Sequence, residues 1–306
     1  MDGKRPSCRP SLINVDLTDV EKTAVQVALY RYRGADTFRR PEGTPYYDAA
    51  YDKALVDACL SPEEQTRLLP DNSSMVAMMA KRTAEIDTHL INALLGGSGG
   101  SGSSGAATAP SAEAAGNAAS AGVSGLGDDH SGRAGGDGAG SGDAAAVVTV
   151  FELDSGSVET LKTSVLGLPP PHVRRVFVRA DLAQPEQALT ALAAAGHDAS
   201  RPTAFVAEGL IGYLSPEAGD DLLRRLRSAA APGSWLLLTV PPSPSWRDSL
   251  AGRGVRLHHV TYEEPEQTLA RARAQGWDTA HLVSTEAVRV KYGLETNSFT
   301  YVLART

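Results

Sequence analysis

Three acids in the second half of the sequence stand where an open sheet does its chemistry. Asp154 closes the apolar run VVTVFELD, Asp181 closes RRVFVRAD, and Glu208 closes TAFVAE. The interval from the first acid to the second equals that from the second to the third, and it is the length of one compact strand–helix repeat. Parallel strands joined by right-handed crossovers bring such residues to the same edge of a sheet. Glu208 is followed at once by Gly209 and then by LIGYL, after which Ser215 and Pro216 read as the N-cap and first residue of a helix. An edge lined with carboxylates suits hydroxyls, amines and cations and repels phosphates. No GxGxxG follows an apolar run and no GxxxxGK[ST] exists, so a phosphate-bearing nucleotide is disfavoured twice over.

A fourth residue of interest lies earlier. From Ser74 to Leu95 the apolar positions Met75, Met79, Ile86, Leu90 and Leu94 fall on one helical face. Arg82 shares that face, three residues after Met79 and four before Ile86. A guanidinium there needs an anionic partner or must snorkel to the rim, because burying it unpaired is very costly.

The elements that position these residues follow from the rest of the pattern. A helical stripe runs from about Thr18 to Arg33 and carries Tyr30, Arg31 and Tyr32. Ser61–Pro62–Glu63–Glu64 is a capping box that opens another helix. Between the acidic strands, helices are expected at Val158–Leu166 and Pro185–Ala195. Helices at Ser215–Ala230 and Glu264–Gly276, and strands at Ser234–Val240, His281–Ser284 and Ser298–Ala304, complete the alternation. From Gly96 to Ala145 the composition turns to Gly, Ser, Ala and Asp, which cannot bury enough surface to offset chain entropy. That tract is expected to lack stable structure apart from a short strand and turn near Gly122–Asp129. Its chance GxSxG at Gly96–Gly100 has no strand before it.

Composition narrows the function. A net charge of −7 leaves no basic surface for nucleic acid or anionic membrane, so neither partner is expected. Two cysteines and no CxxC exclude a disulfide framework or a zinc ribbon. The seven histidines show no metal-ligand spacing, so no metal is expected. His258–His259 could line a pocket or form a surface pair. No apolar run spans a membrane and Met1–Pro10 lacks a leader's apolar core, so a cytoplasmic protein is expected.

The stretch EGLIGYL, the phrase Arg82-x-x-x-Ile86-Asp87 and the phrase Phe151-Glu152-x-Asp154 together resemble the leucine carboxyl methyltransferase-like family of S-adenosylmethionine (SAM) dependent O-methyltransferases. The resemblance covers roughly Thr18–Leu95 and Val147–Thr306. It implies a Rossmann-like α/β fold, mostly parallel, with an antiparallel last strand. It also implies an N-terminal helical cap over 1–95, a Gly/Ser/Ala-rich insertion over 96–145 and a methyltransferase core over 146–306. By the same resemblance Arg82 contacts the SAM carboxylate, Asp154 the ribose hydroxyls, Asp181 and Leu182 the adenine, and Glu208 the amino-acid end. Glu152 and Lys162 match positions in the same motif. The family's glycine loop, of the form GAGxDTR, has its nearest trace at Gly125 and Gly127, where His130–Ser131 stand in place of Thr–Arg. Arg31 is the candidate cation beside the methyl acceptor. The implied reaction is methyl transfer to a carboxylate or hydroxyl oxygen of a small molecule, or to a protein C-terminal carboxylate. The alternative is a protein that keeps the fold without catalysis, as a binding or regulatory module.

Overall fold

The computed structural model describes residues 19–69, 74–95, 122–125, 147–167, 169, 171–241, 262–292 and 299–306. Four helices come first: α1 (Asp19–Thr37), α2 (Ala50–Cys59), α3 (Pro62–Leu68) and α4 (Ser74–Leu95). The strand β1 (Gly122–Gly125) then precedes β2 (Val148–Asp154), α5 (Gly156–Leu166), β3 (Val173–Arg179), α6 (Pro185–Ala194) and β4 (Thr203–Ala207). A 3₁₀ turn at Ile211–Tyr213 leads to α7 (Pro216–Ser228), β5 (Trp235–Val240), α8 (Pro265–Ala274), β6 (His281–Val283), α9 (Thr285–Tyr292) and β7 (Thr300–Arg305). Helices α2 and α9 were not expected from the sequence. The other elements lie within a few residues of their expected bounds.

Local chemistry explains the helix starts. Ser61 Oγ accepts from the Glu64 amide while the Glu64 carboxylate accepts from the Ser61 amide, the reciprocal cap that the sequence announces. At α7 the Ser215 hydroxyl accepts from the Ala218 amide, with Pro216 at the first helical position.

The strands form one seven-stranded sheet in the order β3-β2-β1-β4-β5-β7-β6. The pairs β2–β3 and β4–β5 are parallel, and β7 is antiparallel to both β5 and β6. Strand β4 is buried along its whole length and β5 nearly so, which is why both read as unbroken apolar runs. One face of the sheet packs Phe205, Leu236 and Leu238 against Leu192 of α6, Leu222, Leu223 and Leu226 of α7, and Trp277. The Trp277 indole N–H donates to the Leu223 carbonyl, satisfying the polar end of an otherwise apolar side chain. The opposite face packs Val206, Leu237, Tyr301 and Leu303 against Tyr30 of α1, Met79 and Ile86 of α4, and Val288 of α9. The helices assigned to an N-terminal cap thus share a core with the sheet. Where α1 crosses α4, a Cβ on Gly34 would stand 2.7 Å from Ala80 Cβ and 2.9 Å from the Tyr47 hydroxyl, so only glycine permits that approach.

The central strand departs from the expected direction. Strand β1 is antiparallel to both neighbours: Gly122 lies opposite Glu152 and Val206, and Gly125 opposite Thr149 and Thr203. The strand is only four residues long, Gly-Val-Ser-Gly, and so carries little side-chain pattern to fix its register between β2 and β4. The remainder of 96–145, with its expected lack of structure, lies outside the described residues, as does His258–His259.

Candidate functional site

Because β1 is antiparallel to both β2 and β4, those two strands run the same way, and β3 runs with them. Asp154, Asp181 and Glu208 therefore do reach one edge, as their spacing requires. Around Glu208 that edge becomes a buried ion network.

Glu208 is presented by its successor. Gly209 adopts φ +61°, a left-handed conformation open to glycine at little cost, and its amide donates to Thr239 Oγ1 of β5 at 2.7 Å. The turn leaves the Glu208 carboxylate pointing under α1 and α4. There Arg82 Nη2 approaches Glu208 Oε1 at 2.6 Å, and Arg31 Nη1 lies 4.0 Å from Oε2. Arg31 Nε is in turn 3.3 Å from Asp52 Oδ2 on α2. The charges alternate along the chain Asp52–Arg31–Glu208–Arg82, and all four side chains are almost fully buried. Phe299, just before β7, places its ring 4.9 Å from the Arg82 guanidinium carbon, a cation–π contact. The Tyr47 hydroxyl donates to the Arg31 carbonyl at 2.7 Å and anchors this part of α1.

The network shifts its members' proton affinities. Burial pushes the Asp52 carboxyl up to about 6 against the pull of Arg31. Burial likewise pushes Asp87 up to about 7, with Arg31 opposing and the charges of Glu208 and Asp52 adding to the rise. Burial alone would lower Arg31; Asp52, Glu208 and Asp87 outweigh it and hold the guanidinium above its ordinary value. A buried ion set of this kind has a large desolvation penalty that its own pairing must offset, and its place at the carboxyl edge of the sheet makes it the candidate site.

The remaining expected residues divide. Asp154 ends β2, its Oδ1 accepting from the Ser155 amide at 2.8 Å. Asp181 is exposed after β3 and accepts from the Ala183 amide at 2.9 Å, while Leu182 is half-buried against the sheet's apolar face. Glu152 is brought elsewhere. It lies two residues inside β2, and both its oxygens are engaged, by Lys162 Nζ at 3.0 Å and Arg175 Nε at 2.9 Å. Its charge locks α5 and β3 onto β2 instead of facing the edge. Gly125 is also not at this edge, because the reversal of β1 carries it to the opposite end of the sheet; Gly127 lies outside the described residues. Arg31 does join the site, but buried between Asp52 and Glu208 instead of open to an acceptor.

Sequence reasoning missed Asp52. The signal was available: Asp52 precedes Leu55 by three and Val56 by four, and both are buried, so it sits on the apolar face of α2 as Arg82 does on α4. Thr239, within β5, and Phe299, just before β7, carry no comparable signal. Among the described residues no group of acids, histidines and cysteines could hold a metal ion, and no helix is long and apolar enough to cross a membrane.

Comparison with known proteins bears on the same edge. Residues 143–227 match the family model described as leucine carboxyl methyltransferase. A protein of Mycolicibacterium vanbaalenii is 36% identical over 160 residues, covering 48% of this chain and 51% of that protein. One from Mycobacterium avium (strain 104) is 43% identical over 112 residues, 35% of this chain and 34% of that protein. Both bear the name "Putative S-adenosyl-L-methionine-dependent methyltransferase". The chain thus spans about half or less of the length of these relatives. Among solved structures, a DUF574 family protein from Streptomyces avermitilis aligns over 90% of this chain and 96% of its own, at 16% identity and a TM-score of 0.49. The sheet has the 3-2-1-4-5-7-6 order and antiparallel seventh strand of the Rossmann-like SAM-dependent methyltransferase fold, with β1 reversed, and residues 143–227, which carry Asp154, Asp181, Leu182 and Glu208, resemble the leucine carboxyl methyltransferase family.

Proposed function

We propose that the chain is a SAM-dependent methyltransferase acting on a carboxylate or hydroxyl oxygen of a small molecule or of a protein C-terminus. The observation that carries this reading is the buried Arg82–Glu208 pair at the carboxyl edge of the sheet. A guanidinium and a carboxylate side by side are complementary to a ligand that is itself a zwitterion, as the amino-acid end of SAM is. Arg82 would take the ligand carboxylate as a bidentate fork and Glu208 the ammonium. Asp154, at the end of β2, suits the ribose hydroxyls, and Asp181 with the half-buried Leu182 suits the adenine. When bound, SAM supplies a methyl carbon already activated by its sulfonium.

What remains for the protein is orientation and exclusion of water. The carboxylate-lined edge adds favourable charge near a cationic ligand. A carboxylate acceptor needs no base; a hydroxyl acceptor would need one.

The test is isothermal titration with SAM and S-adenosylhomocysteine, followed by transfer of a labelled methyl group to extracts of small molecules and to peptides with free carboxyl termini. Heat with both nucleosides and label in either acceptor class supports the reading. A second reading has its own observation: β1 runs against the sheet and carries Gly125 away from the acids. A protein whose Gly125 does not reach the acids could keep the fold as a binding or regulatory module. Absence of heat with either nucleoside would favour that alternative.

A further inference from the structure

Glu208 receives Arg82 on one carboxylate oxygen at 2.6 Å, whereas Arg31 stops 4.0 Å short of the other. Two opposite charges so close and so buried should close to hydrogen-bond contact unless something restrains one of them. Asp52 competes with Glu208 for Arg31: its Oδ2 lies 3.3 Å from Arg31 Nε, closer than Glu208 Oε2 is to Nη1, and buried Asp87 adds its charge to the same guanidinium. Asp52 belongs to α2, and its side chain is 3% exposed. A buried ion pair is expensive to desolvate and often has no stabilising advantage over apolar residues of similar volume.

We propose that Asp52 is a positioning residue: it withdraws Arg31 from Glu208 and so keeps one Glu208 oxygen available for the cationic group of an amino-acid-bearing ligand. This rests on the reading of the edge as a SAM site and extends it to a residue outside the matched stretch. Without the Asp52 charge, Arg31 moves onto Glu208 Oε2. Glu208 is then saturated by two guanidiniums, and a ligand ammonium must compete with Arg31 for it. The nucleoside half of the ligand, bound toward Asp154 and Asp181, is unaffected.

The experiment compares two ligands that differ by the amino-acid portion, S-adenosylhomocysteine and 5′-methylthioadenosine, by isothermal titration against the full chain. Asp52→Asn keeps the side-chain volume and removes the charge. It should weaken S-adenosylhomocysteine about tenfold and change 5′-methylthioadenosine by less than about twofold. In an Arg31→Gln background the same Asp52→Asn change should alter S-adenosylhomocysteine affinity by less than about twofold, because Asp52 acts only through Arg31. If Asp52→Asn is unfolded at the assay temperature, Asp52→Glu serves instead. It retains the charge but displaces Arg31, and the same selective loss is expected. Equal weakening of both ligands, or an undiminished effect in the Arg31→Gln background, overturns the proposal while leaving the functional reading in place. Wild-type protein that binds neither ligand overturns both.

Discussion

Arg82 and Glu208 meet at 2.6 Å although 125 residues of chain separate a helix from the turn after a strand, and neither side chain is more than 6% exposed. The contact joins α4, the layer above the sheet, to the carboxyl end of β4. It is the point at which the helical layer is tied by charge to the carboxyl edge of the sheet.

Replacing the Arg82 fork with a point charge separates binding from structure. Arg82→Lys should weaken S-adenosylhomocysteine by about 1–3 kcal/mol, measured by titration, because a bidentate pair becomes monodentate. Unchanged affinity in a variant that has lost only thermal stability would assign Arg82 to the fold alone.

Asp154 lies outside the buried network, and its loss should be felt by the ligand more than by the fold. Asp154→Asn retains an oxygen for the Ser155 amide but removes the charge. A loss of about 1–3 kcal/mol in S-adenosylhomocysteine binding is expected, with the melting temperature of the unliganded protein nearly unmoved. A large drop in melting temperature with intact affinity would contradict this assignment.

The pH dependence of stability carries two opposing signatures. Asp52 and Asp87 are raised to about 6 and about 7, so they hold a proton more tightly folded than unfolded. Their contribution is full below the ordinary carboxylate value and is lost as pH rises through those values. Glu85 behaves oppositely. Burial alone would raise it, but hydrogen bonds from His89, Lys291 and Tyr292 bring it down to about 2. Its contribution is present above the ordinary carboxylate value and lost as pH falls toward 2. The unfolding free energy of the unliganded protein should therefore decline between about pH 4 and pH 7, and Asp87→Asn should flatten that decline. Denaturant titrations across the range measure it, and an identical slope in the variant would refute the assignment.

Gly34 tests the helical layer. Gly34→Ala puts a methyl group within 3 Å of both Ala80 Cβ and the Tyr47 hydroxyl that anchors the Arg31 carbonyl. A destabilisation of about 1–3 kcal/mol by denaturant unfolding is expected, from overpacking at a helix crossing. A neutral or stabilising outcome would mean that α1 can move away from α4 without strain.

Much of the architecture was already written in local patterns. The apolar runs ending in Asp154, Asp181 and Glu208, the caps at Ser61 and Ser215 and the single face of α4 carrying Arg82 depend on near neighbours, and each element formed where its pattern lay. The common edge of the three acids also followed from sequence, because parallel crossovers have one handedness. Tertiary structure alone decided the rest. That Glu152 faces Lys162 and Arg175, and that Asp52 closes a charge network with Arg31, are matters of which helix packs over which strand. The direction of β1 is the clearest case. Gly122–Gly125 is too short and glycine-rich to announce its partners, and pairing with β2 and β4 placed Gly125 at the far end of the sheet.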